Sequence, residues 1–244
     1  MVEPVYKTQI INIKTKTIMK KDLCELIVIL DESGSMCNVK NDTIGGFNTF
    51  LETHQKLPGE ALLTLIKFDS EYDIVHNGVD VRSVEPLNKD TYTPGGMTAL
   101  LDAVGRAIDE VGKRYDSAKE EEKPGKVIFL ITTDGEENSS KEYKLEAVKE
   151  KIQRRQTENE WEFIFMGANQ DAWRTGGSMG IASNVNYVVD DISKTMKGAA
   201  YYSSNFRLCR NKVSLDNFNL SEEELDKELD KITKNADKTE TDNV

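Results

Sequence analysis

The chain has 244 residues, of which 38% are hydrophobic and 31% charged, and its formal net charge is −11. This length and composition are typical of a globular protein that can bury a full core. The acidic balance argues against binding along a nucleic-acid backbone, and no apolar run reaches the roughly 20 residues that cross a bilayer. We therefore expect neither a nucleic-acid partner nor membrane contact.

The amino terminus lacks the basic-then-apolar order of a secretory signal. Three cysteines, Cys24, Cys37 and Cys209, are odd in number and widely spaced, which is typical of free thiols in a reducing compartment. These features predict a cytoplasmic protein. The two histidines, His54 and His76, have no neighbours at zinc-ligand spacing, which argues against a structural zinc site.

Apolar runs and helical periodicities alternate along the chain. Continuous apolar runs predict strands over 25–30, 61–68, 126–132, 161–166 and 185–189, and Asn77-Gly78 predicts a hairpin or edge pair between 72–75 and 79–84. Apolar residues at helical spacing predict helices over 44–51, 100–111 and 191–208 and a short helix within 167–180.

Two further helices are predicted from their starts. Ser139 with Glu142 resembles a capping box for a helix carrying Val148. Ser221 with Glu224 resembles a second one, for a helix with an apolar stripe of Leu225, Leu229 and Ile232. Whether that stripe docks on the rest of the chain or on a partner stays open.

Strands that alternate with helices predict an α/β doubly wound fold with a mostly parallel central sheet and helices on both faces. We expect one domain over residues 22–210, preceded by an N-terminal segment, 1–21. An acidic C-terminal extension, 211–244, is expected to be partly helical and then disordered from about residue 234.

Oxygen donors follow two of the predicted strands. Asp31, Ser33 and Ser35 come directly after 25–30, Asp134 follows 126–132, and Thr98 lies in the loop before the helix over 100–111. Ligands of such folds bind beyond the carboxyl ends of the strands. Two carboxylates and three hydroxyls are hard oxygen ligands of the kind that Mg²⁺ prefers. The sequence therefore predicts a magnesium site at this edge of the sheet.

Three segments together resemble the metal-ion-dependent adhesion site of von Willebrand factor type A (VWA) domains. They are Asp-Glu-Ser-Gly-Ser-Met at 31–36, Thr-Pro-Gly-Gly-Met-Thr at 93–98 and Thr-Asp-Gly-Glu-Glu-Asn-Ser at 133–139. The resemblance covers about residues 22–208. Its details are most similar to stand-alone intracellular bacterial or phage members of that family.

This resemblance implies a Rossmann-like sheet and a bound Mg²⁺ or Mn²⁺. The metal ligands that it implies are Asp31, Ser33, Ser35, Thr98 and Asp134. An Asp or Glu from a protein partner would complete the coordination. We therefore expect a divalent-metal-dependent protein-binding module, not an enzyme; the oligomeric state cannot be read from the sequence.

Other interpretations stay open. Asp, Ser and Gly also cluster at strand-to-helix turns for backbone reasons alone. A metal-dependent phosphatase or hydrolase could use the same residues, although a dehalogenase-type phosphatase needs a carboxylate where Ser33 stands and a hydrolase elbow needs Gly-x-Ser-x-Gly. A third possibility is a structural adaptor subunit of an ATPase complex, in which the metal serves stability.

Overall fold

The computed structural model of the chain describes residues 20–167, 170–186, 192–208 and 220–241. Its centre is a six-stranded sheet of order β3-β2-β1-β4-β5-β6. The strands are β1 (Lys20–Asp31), β2 (Ala61–Phe68), β3 (Tyr72–Asp80), β4 (Pro124–Thr133), β5 (Glu162–Gly167) and β6 (Ser183–Asn186). All neighbours run parallel except the edge pair of β2 and β3, which is antiparallel. The predicted mostly parallel sheet is confirmed.

Helices cover both faces of this sheet, also as predicted. They are α1 (Lys40–Gln55), α2 (Leu100–Ser117), α3 (Leu145–Asn159), α4 (Gln170–Ser178), α5 (Ile192–Arg207) and α6 (Glu222–Thr241). Successive side chains of a strand point to opposite faces. In β1, Leu26 and Val28 join the core shared with α1, α5 and α6, whereas Ile27 and Ile29 join the core shared with α2 and α3. Because both faces are covered, the central strands read as unbroken apolar runs.

The predicted hairpin around Asn77-Gly78 is wrong. Residues 72–80 form one strand, β3, and the pairing register with β2 shifts twice, between residues 79 and 76 and between residues 76 and 74. Gly78 has a φ of 63°, and its N–H donates to Thr64 Oγ1 at 3.0 Å. The Asn-Gly pair therefore forms a bulge, because glycine adopts a positive φ in a strand as readily as in a turn.

The capping box predicted at Ser139 and Glu142 is also wrong, since α3 begins at Leu145. The Asp102 carboxylate of α2 accepts hydrogen bonds from the backbone N–H groups of residues 141, 142 and 143, at 2.7–2.9 Å. Glu142 pairs with Arg106 instead of capping a helix. Asp102 therefore fixes the loop before α3, and the N-cap residue of α3, Lys144, makes no side-chain capping bond.

Three further predictions concern the last strand, the cysteines and the absence of a membrane-spanning helix. The last strand occupies 183–186, and residues 187–189 of its predicted range lie outside the described residues. Cys24 is a buried free thiol and Cys37 an exposed one, whereas Cys209 is outside the described part of the chain. None of the helices within the described ranges is both long enough and apolar enough to cross a bilayer.

The capping box at Ser221 and Glu224 is confirmed. Glu224 Oε2 accepts from the Ser221 N–H at 2.8 Å, and the Glu224 N–H donates to Ser221 Oγ at 3.3 Å. The helix that follows is longer than expected, since α6 continues to Thr241 and so passes residue 234, where disorder was predicted.

The apolar stripe of α6 docks on the domain itself. Leu225, Leu229 and Ile232 are buried, and Leu229 belongs to the core that α1 and α5 share. At the edge of this contact Lys197 of α5 pairs with Glu222 at 3.1 Å and with Asp226 at 3.0 Å. The stripe therefore has a partner within the chain.

The interface of α1 and α5 contains a buried histidine. His54 is fully buried, its Nε2 lies 2.9 Å from Ser203 Oγ, and its Nδ1 has no hydrogen-bond partner among the described residues. Burial, with a smaller contribution from the charge of Arg207, lowers the pKa of His54 well below its usual value. The folded protein therefore holds this imidazole neutral.

We expect His54 to contribute a loss of stability in mild acid, which is opposed below about pH 6 by the raised pKa of Asp31. The unfolded chain takes up a proton below about pH 6.5 that the folded chain does not, so the free energy of unfolding decreases as pH falls, by at most about 1.4 kcal/mol per pH unit. Urea denaturation between pH 7.5 and 5 measures this slope. His54→Gln should remove this contribution below pH 6.5, and equal slopes in the variant and the unaltered chain would contradict the assignment.

Candidate metal centre

Asp31 is the last residue of β1 and lies at the carboxyl edge of the sheet, fully buried. Its Oδ1 accepts from the Ser33 N–H at 2.7 Å, and its Oδ2 accepts from Thr133 Oγ1 at 2.5 Å. The Tyr92 hydroxyl donates to the backbone carbonyl of Asp31 at 2.5 Å. The carboxylate is thus held in one orientation by two loops of the fold.

The two serines and the second aspartate form a continuous chain of oxygens. Ser33 Oγ lies 3.1 Å from Ser35 Oγ, and Ser35 Oγ donates to Asp134 Oδ1 at 2.5 Å. Ser33 is buried, Asp134 is half-buried and Ser35 is exposed. The donors therefore extend from the interior of the sheet edge to the protein surface.

Thr98 completes the cluster from the loop that precedes α2. A methyl group at Gly135 would lie 3.1 Å from Thr98 Oγ1 and 3.3 Å from Ser35 Oγ, so both hydroxyls border the same small space. The Thr98 backbone is fixed from both sides, since its N–H donates to Asn138 Oδ1 at 2.9 Å and its carbonyl accepts from the Asn138 N–H at 3.0 Å. All five predicted residues are therefore brought together by three loops.

The donor set fits a hard divalent cation. It consists of two carboxylates and three hydroxyls, and Mg²⁺ and Mn²⁺ both favour such oxygen ligands. No group of three acidic, histidine or cysteine side chains suited to a metal occurs within the described residues, so a metal here would depend on the hydroxyls. Two hydroxyls border the space beside Gly135, and hydrogen bonds of Ser35 connect them with Ser33 and Asp134, an arrangement that suits a small ion of this kind.

The electrostatics of the cluster agree with this fit. Burial raises the pKa of Asp31 to about 6, and the nearby charge of Asp134 adds to the increase, whereas hydrogen bonds from Ser33 and Thr133 oppose it. Burial also raises the pKa of Asp134. Two carboxylates that are costly to ionise side by side are stabilised when a cation lies between them.

Several supporting residues were not predicted from the sequence. Thr133 orients Asp31 and also accepts from the Gly135 N–H at 3.1 Å, and Asn138 anchors Thr98. Glu32 pairs with Lys67 at 2.9 Å and accepts from the Thr93 N–H, which joins the first loop to the second. The local sequence indicated a role only for Thr133, because it stands beside Asp134 at a strand end. The roles of the other residues depend on contacts between distant segments.

Gly135, which lies against the hydroxyls of Thr98 and Ser35, allows a direct test of the candidate metal site. Gly135→Ala places a methyl group against Thr98 Oγ1 and Ser35 Oγ, at distances tighter than ordinary van der Waals contact. We expect the free energy of unfolding to change by less than about 1 kcal/mol, because the hydroxyls can shift by a few tenths of an ångström. Metal affinity should fall by at least about tenfold, since the space for the ion shrinks.

Calorimetric titration with MgCl₂ measures this affinity. Gly45→Ala is a matched control, because a methyl group there has no neighbour within 4 Å. Unchanged affinity in the Gly135 variant would show that the space beside Gly135 is not the metal site.

No family model matches the chain, and no curated protein is significantly similar to it in sequence. Several solved structures share its fold. The ArnB paralog VWA2 from Sulfolobus acidocaldarius is 18% identical, with a TM-score of 0.50, over 73% of this chain and 44% of that one. Proximal thread matrix protein 1 (PTMP1) from the mussel byssus is 13% identical, with a TM-score of 0.52, over 75% of this chain and 46% of that one.

A further structure of PTMP1 is described as having a zinc-occupied MIDAS motif, the metal-ion-dependent adhesion site. It is 12% identical, with a TM-score of 0.50, over 72% of this chain and 46% of that one. The chain thus spans less than half the length of these proteins. At such identities the likeness concerns the fold alone, and that fold is the Rossmann-like α/β fold of VWA domains.

Proposed function

We propose that the chain is a divalent-metal-dependent protein-binding module that uses the five-residue cluster. Mg²⁺ or Mn²⁺ would be held by Asp31, Ser33, Ser35, Thr98 and Asp134, directly or through water. The observation that carries the proposal is the convergence of five oxygen donors from three loops on one small space at the carboxyl edge of the sheet. When bound, the metal supplies a positive centre that attracts an anionic ligand.

The chemistry of the cluster supports a carboxylate from a partner as that ligand. Asp31 and Ser33 are buried and close the inner side, whereas Ser35 is exposed at the outer side. Octahedral coordination needs six ligands and the protein offers five side chains, so at least one position is left for water or for an outside oxygen. An Asp or Glu side chain of a partner protein is the hard, anionic oxygen ligand best suited to it.

The zinc in the MIDAS motif of PTMP1 supports a divalent ion on this fold. The choice of Mg²⁺ or Mn²⁺ for this chain rests on its donors, because hydroxyl and carboxylate oxygens favour these harder ions while zinc favours nitrogen and sulfur. Cys37, the nearest cysteine in sequence, donates its thiol to the Pro94 carbonyl at 3.6 Å. We propose a hydroxyl-rich magnesium or manganese site.

We also propose that the site is not enzymatic. A serine nucleophile needs a general base within hydrogen-bond reach. His54 is bonded to Ser203 between α1 and α5, and His76 lies in β3 opposite Leu65. Both histidines therefore contact groups other than Ser33 and Ser35, and neither is placed as a general base for these serines. This favours a binding site over a hydrolytic one.

Calorimetry and affinity capture test the proposal together. MgCl₂ or MnCl₂ titrated into the metal-free chain should give a saturable heat for about one site, and capture of proteins from a native extract should be lost in EDTA. Absence of any metal-dependent heat would contradict the proposal. Chelation that lowers the melting temperature but leaves a captured complex intact would instead support the structural adaptor, and Mg²⁺-dependent turnover of a phosphoester panel would support the hydrolase.

A further inference from the structure

Two charged side chains beside the candidate metal centre do not belong to its five oxygen donors. Glu32 follows Asp31 in the first loop, and Lys67 is the penultimate residue of β2. β2 runs parallel to β1, and the Glu32 N–H donates to the Phe68 carbonyl at 2.7 Å, which continues the pairing of these strands by one residue. Glu32 and Lys67 are therefore neighbours at the carboxyl edge of the sheet.

The ammonium of Lys67 joins the first loop to the segment 91–98, the second loop, which ends at Thr98. Its Nζ donates to the two carboxylate oxygens of Glu32 at 2.9 and 3.2 Å and to the Thr91 carbonyl at 3.1 Å. An ammonium has three donors, and these three bonds match them. Lys67 thus holds the start of the second loop.

Glu32 holds the second loop at two further points. Its Oε1 accepts from the Thr93 N–H, and its backbone carbonyl accepts from the Gly95 N–H at 2.8 Å. The Glu32 side chain is only 14% exposed and that of Lys67 only 12%. Water and salt therefore screen this ion pair less than they screen a pair on the open surface.

Thr98 lies at the oxygen cluster because the second loop packs closely on its neighbours. The Gly34 N–H of the first loop donates to the Gly96 carbonyl at 3.2 Å. Gly96 has a φ of 71°, and a methyl group there would clash with the carboxylate of Asp69. The second loop therefore has the first loop on one side and Asp69 on the other, and a shift of the loop would move Thr98.

Charge and positioning predict opposite effects for Lys67. A positive side chain beside a cation site repels the metal, so loss of the lysine would strengthen metal binding if Lys67 acted through its charge alone. If Lys67 instead orders the second loop, its loss weakens binding, because the loop is then ordered only when the metal binds. The sign of the change in affinity separates the two roles.

From these contacts we infer that Glu32 and Lys67 are positioning residues of the metal centre. They hold the loop that carries Thr98 against the loop that carries Asp31, so the ligands are brought together before the metal arrives. This inference rests on the proposed function and adds to it an ion pair outside the ligand set. Groups that support metal ligands change metal affinity by about 10–100-fold.

Substitution of Lys67 tests the effect on metal affinity. Lys67→Met removes the charge and the donors, and calorimetric titration of the full chain with MgCl₂ should show at least about tenfold weaker binding. Lys67→Arg keeps a charged donor and should restore most of the affinity. Lys56→Met, at the far end of α1 with a side chain 59% exposed, is the matched control for the lost charge and should bind Mg²⁺ normally.

Amide hydrogen exchange of the metal-free chain gives a readout that does not depend on the metal. In Lys67→Met we expect exchange at least about tenfold faster in fragments that cover 91–98, while fragments of α3 exchange as in the unaltered chain. A general loss of stability would instead speed exchange throughout the domain. Mass spectrometry of the fragments measures both.

A double variant keeps the inference testable if Lys67→Met does not fold. Loss of one partner leaves a largely buried charge unpaired, whereas Glu32→Gln combined with Lys67→Met removes both charges and is tolerated better. The net charge of the chain is then unchanged, so charge alone predicts unchanged Mg²⁺ affinity. The positioning role predicts at least about tenfold weaker binding, because the bonds from position 67 to Glu32 and Thr91 are lost.

Unchanged or tighter Mg²⁺ binding in Lys67→Met would overturn the inference. Exchange of residues 91–98 at the rate of the unaltered chain would overturn it as well, and the proposed function would then stand if Mg²⁺ still binds the unaltered chain. If the unaltered chain binds no metal, the proposed function fails. Exchange in the metal-free chain still decides in that case whether the ion pair holds the loop.

Discussion

Replacing Thr98 with valine is expected to abolish metal binding while the protein stays folded. The exchange turns one of the five oxygen donors into a methyl group of similar shape. Changes outside the direct ligands of metal sites already cost about 10–100-fold in affinity, so loss of a direct ligand should cost at least about 100-fold. Calorimetric titration with MgCl₂ measures the affinity, and capture of partners should be lost in parallel.

The surroundings of Thr98 make this a cleaner test than Asp31→Ala. The bonds between Thr98 and Asn138 use backbone atoms of Thr98, so valine keeps them. Removing the Asp31 carboxylate would instead take the acceptor of the buried Ser33 N–H and leave the Thr133 hydroxyl with the more distant Gly135 carbonyl, at 3.3 Å. Thr157→Val, on the exposed face of α3, is the matched control. Normal metal affinity in Thr98→Val would show that Thr98 is not a ligand of the metal.

Replacing Arg207 with alanine is expected to lower the free energy of unfolding by about 3 kcal/mol. Arg207 ends α5 and is 6% exposed. Its guanidinium donates to the carbonyls of His54, Pro58 and Gly59, at 2.8–3.1 Å, where α1 ends. The substitution leaves these carbonyls, of which that of His54 is buried, with fewer donors and opens space between α1 and α5, and both effects destabilise the fold.

Urea denaturation at pH 7.5 measures the change. Arg154→Ala, at an exposed position of α3, is the control and should alter the free energy of unfolding by less than about 0.5 kcal/mol. A loss below about 1 kcal/mol in Arg207→Ala would indicate that Arg82, which also donates to the carbonyls of Leu57 and Gly59, is sufficient to hold this turn.

The cluster of five oxygen donors shows how far local sequence can predict which residues meet. Asp31 and Asp134 were predictable because each follows an apolar run, and the carboxyl ends of parallel strands meet at one edge. Thr98 was predicted from its motif, but only the structure shows its hydroxyl and that of Ser35 bordering the same space beside Gly135. Tyr92 and Asn138 had no local signal, since their roles depend on loops that approach from distant parts of the chain.

Two of the predictions that the structure contradicts have one physical cause. Asn77-Gly78 and Ser139 with Glu142 are good local signals for a hairpin and a helix start. In the folded chain the first lies in a strand whose pairing with β2 outweighs the turn preference. The second is outweighed by Asp102, which accepts three N–H groups of that segment. Long-range hydrogen bonds decided both cases.

The amino-acid sequence by itself determined the alternation of strands and helices, the parallel sheet and the edge at which the oxygen donors stand, because apolar periodicity follows directly from burial on one or both faces. The docking of α6 on α5 and the convergence of the three loops were decided only by the tertiary structure. Each of these features depends on which elements become neighbours. The order of strands in a sheet produces no periodic pattern in the sequence, so periodicity cannot predict it.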